Sequence, residues 1–281
     1  MPLRLVDTER LQLELPELRD SYATADPFPH AVIDDVLTED AFDSAVSEFP
    51  AIKHESWKAY LHVNETKYAN LDRDTWGPSL QAIAKELRST EFVGFLTELT
   101  GIADLMPDPS MDGGGLHQTL RGGHLNVHAD FTTHHSHDDW ARRVNILLYL
   151  NDEWRAEWGG QLELWDAAMT ACRKRVAPQG NRMLVFTTSP DSFHGHPDPL
   201  ACPEGVARRS MALYYFTRER SPVRRATNYQ ARPGDGLKRV AIWTDRLVLG
   251  LYDRTRRRMG WSDERANAVL ERLGQLRGKR R

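Results

Sequence analysis

The chain has 281 residues, of which 40% are hydrophobic and 27% charged, and a net charge of −3. This balance excludes a mostly disordered, collagen-like or coiled-coil chain. No apolar run approaches the ~20 residues of a membrane-spanning helix. Two cysteines, Cys172 and Cys202, exclude a disulfide scaffold and suit a reducing compartment. The opening segment lacks the apolar stretch of a secretory signal, so a cytoplasmic location is expected.

Residues 27–50, PFPHAVIDDVLTEDAFDSAVSEFP, read as a strand and then a helix. Thr38 is placed to cap that helix, with Glu39 and Asp40 in its first turn. Leu80, Ile83, Ala84 and Leu87 recur at helical spacing, which predicts a helix over 78–100 that ends at Gly101. Residues 106–115 form a loop rich in Pro and Gly. After it come short apolar runs broken by turns: LHQTL, HLNVH, RVNILLYL, GQLELW, RMLVF and RSMALYYF. They have strand length and strand composition, and they predict an antiparallel barrel or jelly roll.

The tail returns to helical patterning over 240–258, and Ser262 is placed to cap a further helix. Residues 218–281 hold 18 Lys and Arg against 7 Asp and Glu. These cations alternate with acids at helical spacing, and no stacking aromatics are interleaved with them. Docking on the acidic body of the fold is therefore expected, with no nucleic-acid partner and no membrane span. The tail helices are also expected to offer a homodimer contact. The organisation expected is a strand-helix region over 1–105, a β-core over 106–217 and a basic helical extension over 218–281.

Eight of the 11 histidines lie between residues 117 and 196. Concentration in the predicted β-core points to a metal site. In GGHLNVHADF (122–131), His128 and Asn126 share a strand face, and Asp130 lies at the strand end. A third ligand would come from a distant strand, and the best candidate is His194, just after RMLVF, with His196 competing in the same short segment. Two histidines and one carboxylate leave coordination positions open, which suits non-haem Fe(II) and oxygen chemistry. Downstream, Arg208 and Ser210 share one face of an otherwise apolar strand. A buried guanidinium there needs an anion, and a dicarboxylic cosubstrate supplies one. Arg209 points to the opposite face. Asn126 and Asn145 are expected to face the barrel interior. Arg121, Arg142, Arg143 and Arg182 read as surface cations, with binding of an anionic substrate by one of them the alternative. His134, His135 and His137 read as a solvated loop at the barrel mouth, with a second metal site or a substrate contact the alternatives.

The order His128-x-Asp130, His194, Arg208-x-Ser210 resembles the Fe(II)- and 2-oxoglutarate-dependent oxygenases. RVNILLYLNDEW, GGQLELW and SFHGHP resemble the prolyl 4-hydroxylase-type branch, over roughly residues 27–217. The resemblance implies a mostly β fold with flanking helices, built on a distorted double-stranded β-helix or jelly roll. It implies that His128, Asp130 and His194 bind Fe(II), that Arg208 holds the remote carboxylate of 2-oxoglutarate, and that Tyr149 assists it, with Ser210 alongside. The reaction implied consumes O2 and converts 2-oxoglutarate to succinate and carbon dioxide while a substrate carbon is hydroxylated. Asp130 argues against a halogenase, since halogenating relatives lack this carboxylate. A small polar molecule is the expected substrate. A prolyl-type protein side chain is the alternative, and a non-oxidative cupin-type metal protein a more distant one.

Overall fold

The computed structural model describes residues 4–52 and 55–244. Along the chain these form α1 (Thr8–Thr24), β1 (His30–Ile33), α2 (Glu39–Ser47), β2 (Lys58–Leu61), β3 (Glu65–Asn70), α3 (Pro78–Glu86), α4 (Thr90–Thr100), β4 (Met106–Pro107), β5 (Gly115–Leu120), β6 (His124–Ala129), β7 (Trp140–Tyr149), β8 (Leu162–Trp165), β9 (Cys172–Val176), β10 (Met183–Thr187), β11 (Phe193–His196), β12 (Ala207–Arg218) and β13 (Asn228–Tyr229). The strands join one antiparallel sheet in the order β1-β10-β7-β12-β5-β3-β6-β11-β8-β9, with β2 on β3, β4 on β12 and β13 on β6. The sheet curls into a nearly closed jelly roll, as the six apolar runs predict.

Strand alternation divides the core into two parts. Along β7, Val144, Ile146 and Leu148 face outward, where the helices cover them with Leu80, Ile83, Phe92, Phe95 and Leu96. Leu147 and Tyr149 face the interior with Leu162, Leu164, Leu184 and Phe186. This double burial accounts for the nearly unbroken apolar text VNILLYL: a strand covered on both faces needs apolar side chains at odd and even positions alike.

The helix expected over 78–100 is two helices. The first ends at Glu86 with Leu87 as its C-cap, and Ser89 caps the second, accepting the Phe92 N–H at 3.2 Å. A serine oxygen that satisfies an orphan donor makes a new helix start more favourable than continuation. Gly101 closes α4 in the left-handed region, as predicted. The hairpin of β2 and β3 was not foreseen, because Lys58–Leu61 and Glu65–Asn70 are polar and only partly covered. Neither was α1, whose pattern is interrupted by Pro16. At the C-terminal end helical backbone starts at Lys238 and is described to Thr244. The expected helix capped by Ser262, most of the helix over 240–258 and the dimer contact assigned to them lie outside the described residues.

Candidate active site

The two strands that carry the histidines are hydrogen-bonded neighbours, with His194 directly opposite His128. This register brings residues that are distant in sequence onto one interior face. Their ring centroids are 4.6 Å apart. Asp130 follows the end of β6, and its Oδ1 lies 3.6 Å from His128 Nε2 while its Oδ2 lies 3.5 Å from His194 Nε2. One ligand atom from each of the three residues falls within 4.8 Å of the others. His196 is buried one pleat further along the strand and is not in this set.

The tautomers follow from the hydrogen bonds. His128 Nδ1 lies 2.9 Å from the Asn126 carbonyl, and His194 Nδ1 lies 2.9 Å from the Ser192 carbonyl. A carbonyl only accepts, so each proton sits on Nδ1 and each Nε2 lone pair faces the cluster. Burial opposes a charged Asp130, but the Arg142 guanidinium and the two imidazoles outweigh it and hold the carboxyl well below the usual range. Burial pulls His194 down to about 4, against the upward pull of Asp130. Near neutral pH the set is therefore a neutral imidazole at His194 beside a carboxylate. That is the protonation state that a divalent cation requires.

Across the interior, β12 presents Arg208. Its Nε donates to the Gly160 carbonyl at 2.8 Å, and its Nη2 donates to the Tyr149 hydroxyl at 3.2 Å. Arg208 is 6% exposed, and among the described residues no carboxylate pairs with it. A buried guanidinium without a counter-anion costs several kcal/mol, so this arrangement fits an anionic ligand. Ser210 lies two residues on, paired in register with Tyr149 and His117. Arg209 points the other way, toward the helices and over the Phe49 ring.

Two expectations need correction, and one feature of the site was not foreseen. Arg142 is not a surface cation: it is 2% exposed and pairs with Asp130. A bulge explains the difference, because Tyr215 opposes Val144 whereas Phe216 opposes Arg142. The extra residue, Arg143, resets the alternation and turns Arg142 into the interior with Asn145. His134 is not solvated but packs against Trp140 and Phe216, with Nε2 3.3 Å from Asp108. Finally, residues beyond the barrel return to the site. β13 pairs with the end of β6, Tyr229 opposite His128, and the Tyr229 ring centroid is 5.4 Å from that of His128. Nothing in the tail's composition signals that return. Asn126, expected to face the interior, donates to the Val63 carbonyl and to Asn64 Oδ1.

Residues 114–216 match the 2OG-Fe(II) oxygenase superfamily. The mouse prolyl 3-hydroxylase OGFOD1 is 25% identical over 197 residues, which are 68% of this chain and 33% of that protein. The chain thus spans about a third of the length of that curated relative. In structure it resembles a Pseudomonas putida prolyl-4-hydroxylase, with a TM-score of 0.51 and 18% identity over 73% of this chain and 100% of the other. It also resembles a Trichoplax adhaerens prolyl hydroxylase bound to a hypoxia inducible factor peptide fragment, with a TM-score of 0.54 and 18% identity over 75% and 93%. The chemistry of the donor set and the unpaired cation facing it agree with Fe(II) and 2-oxoglutarate as the groups held here. Residues 114–216 thus carry the match to the 2OG-Fe(II) oxygenase superfamily, and the relatives to which the chain is similar are prolyl hydroxylases.

Proposed function

We propose that the chain is a Fe(II)- and 2-oxoglutarate-dependent dioxygenase that hydroxylates an unactivated carbon of a small polar molecule. The observation that carries this reading is the juxtaposition of two parts on one interior. His128, Asp130 and His194 offer three ligand atoms, and Arg208 with Tyr149 offers a buried anion site. Bound there, Fe(II) and 2-oxoglutarate supply an O2-dependent oxidation that turns a substrate C–H into C–OH and releases succinate and carbon dioxide. The chain's own residues do the rest. His128 and His194 present fixed lone pairs, Asp130 supplies negative charge, and Arg208 and Tyr149 orient the cosubstrate by its remote carboxylate.

For the substrate, the stretch of β6 at His128 and Ala129, beyond its pairing with β3, supports a small molecule. An extended peptide adds to a sheet along a free edge, and here Asn228–Tyr229 of the chain itself takes that position. The second reading is a peptidyl side-chain hydroxylase, and the mouse relative named a prolyl 3-hydroxylase favours it. No helix among the described residues is long and apolar enough to cross a membrane. Two unpaired cysteines support a reducing, cytoplasmic setting.

The test is anaerobic titration with Fe(II) and 2-oxoglutarate, read by the weak visible charge-transfer band of the chelate. The band is expected with wild type, lost in Asp130→Ala and weakened in Arg208→Ala. Its absence from folded, iron-loaded wild type would turn the assignment toward a non-oxidative metal protein. Succinate release then separates the substrates. Stimulation by polar metabolites but not by proline-containing peptides supports the first reading, and the converse supports the second.

A further inference from the structure

The geometry points to Arg142 and Asn145 as positioning residues that hold Asp130 to coordination of the metal through Oδ1 alone. The inference rests on the reading of His128, Asp130 and His194 as a metal site. Asp130 Oδ2 accepts two hydrogen bonds, from Asn145 Nδ2 at 2.7 Å and from Arg142 Nη2 at 3.1 Å. Two N–H donors use the two lone pairs of that oxygen. Oδ1 accepts neither bond and lies 3.6 Å from His128 Nε2, while the doubly engaged Oδ2 lies 3.5 Å from His194 Nε2. The donors are themselves held. Arg142 Nε donates to Asn145 Oδ1 at 2.7 Å, and Thr188 Oγ1 donates to the same oxygen at 3.0 Å. The three side chains of Asp130, Asn145 and Arg142 thus close a ring of hydrogen bonds. The guanidinium carbon also lies 3.4 Å from the Tyr214 ring centroid and 4.4 Å from that of Phe131. Stacking on two aromatic faces fixes its plane, which a lysine at this place would not reproduce.

The bulge at Arg143 brings both donors to one side of β7, so the device depends on a local departure from regular strand geometry. Its consequence would be that Oδ2, engaged by two donors, is withheld from a bound metal, which Oδ1 would then meet alone. The competing explanation is an ion pair that only stabilises the fold.

Co(II) serves as a spectroscopic stand-in for Fe(II). The measurements are its dissociation constant, the shifted N–H resonances of the imidazoles it binds, and thermal unfolding without metal. They are made on wild type, Arg142→Met, Arg142→Lys and Asn145→Val. Arg142→Met and Asn145→Val are expected to weaken Co(II) binding by ~10–100-fold while both imidazole N–H signals persist in the loaded protein. Arg142→Lys, which keeps the charge without the planar fork, is expected to recover only part of the loss. Affinity within twofold of wild type in folded Arg142→Met and Asn145→Val overturns the proposal in favour of the structural ion pair. If Arg142→Met does not fold, Thr188→Val carries the test, because it removes only the hydroxyl that donates to Asn145. A several-fold loss of affinity there supports the proposal, and unchanged affinity overturns it. Wild type that binds no Co(II) would instead defeat the metal reading itself.

Discussion

His117 on β5 places Nε2 3.0 Å from the Gly114 carbonyl, and burial, aided by nearby Lys67, pulls its pKa down to about 3. A histidine whose folded pKa lies below its unfolded value of ~6.5 contributes stability above pH ~6.5. That stability is lost as pH falls toward 3, because the unfolded chain takes up the proton first. The shift corresponds to at most about 5 kcal/mol. Urea unfolding followed from pH 7 to pH 4 should show stability falling with acid, and His117→Gln should flatten that fall. An unchanged slope would mean that other groups dominate the acid response. At this scale the text of the chain was informative where chemistry is local. Strand parity separates Arg208 from Arg209, whereas the choice of His194 over His196, two residues apart on one face, rests on the resemblance to relatives. The reading of Arg142 as a surface cation failed, because one inserted residue in β7 turns its side chain inward.

The strand β11 is held close to β6 by a glycine. A Cβ built on Gly195 would lie 2.8 Å from the carbonyl oxygens of Leu125 and Asn126, which are backbone atoms and cannot rotate away. Gly195→Ala should therefore push β11 off β6 and disturb the pairing of His194 with His128. A loss of ~1–3 kcal/mol is expected from chemical unfolding, together with weaker metal binding. Retention of wild-type Co(II) affinity would show that β11 can shift without moving the ligands. In the helices, Ser89→Ala should cost about 1 kcal/mol through loss of the cap on α4. A change under a few tenths would mean that packing of Phe92 and Phe95 alone sets the break. Elements with strong apolar periodicity were legible, whereas β2 and β3 were not. β3 is held by pairing with β5 and β6, β2 by pairing with β3, and no feature of a polar segment announces a partner.

The whole molecule links binding to stability, since a ligand that prefers the folded chain raises its melting temperature by mass action. At 100 times the dissociation constant the gain is ~2.7 kcal/mol. Co(II) alone should raise the melting temperature of wild type, and 2-oxoglutarate should add a second increment. In Arg208→Met the first increment should remain and the second disappear. Loss of both would show that Arg208 supports the fold and not the cosubstrate.

Fold class and the six apolar strands of the barrel were legible in the sequence alone, which also named His128, Asp130, His194 and Arg208 as candidates. Each rests on short-range information: the alternation of apolar residues, the spacing of one imidazole from one carboxylate, and the cost of a cation on an apolar strand. Only the tertiary structure decided that His194 lies opposite His128, that Arg142 turns inward to Asp130, and that Tyr229 returns from beyond the barrel to cover His128. Register, bulges and the return of a distant segment depend on which strands pair. That choice belongs to the closed sheet as a whole, and no window of the sequence carries it.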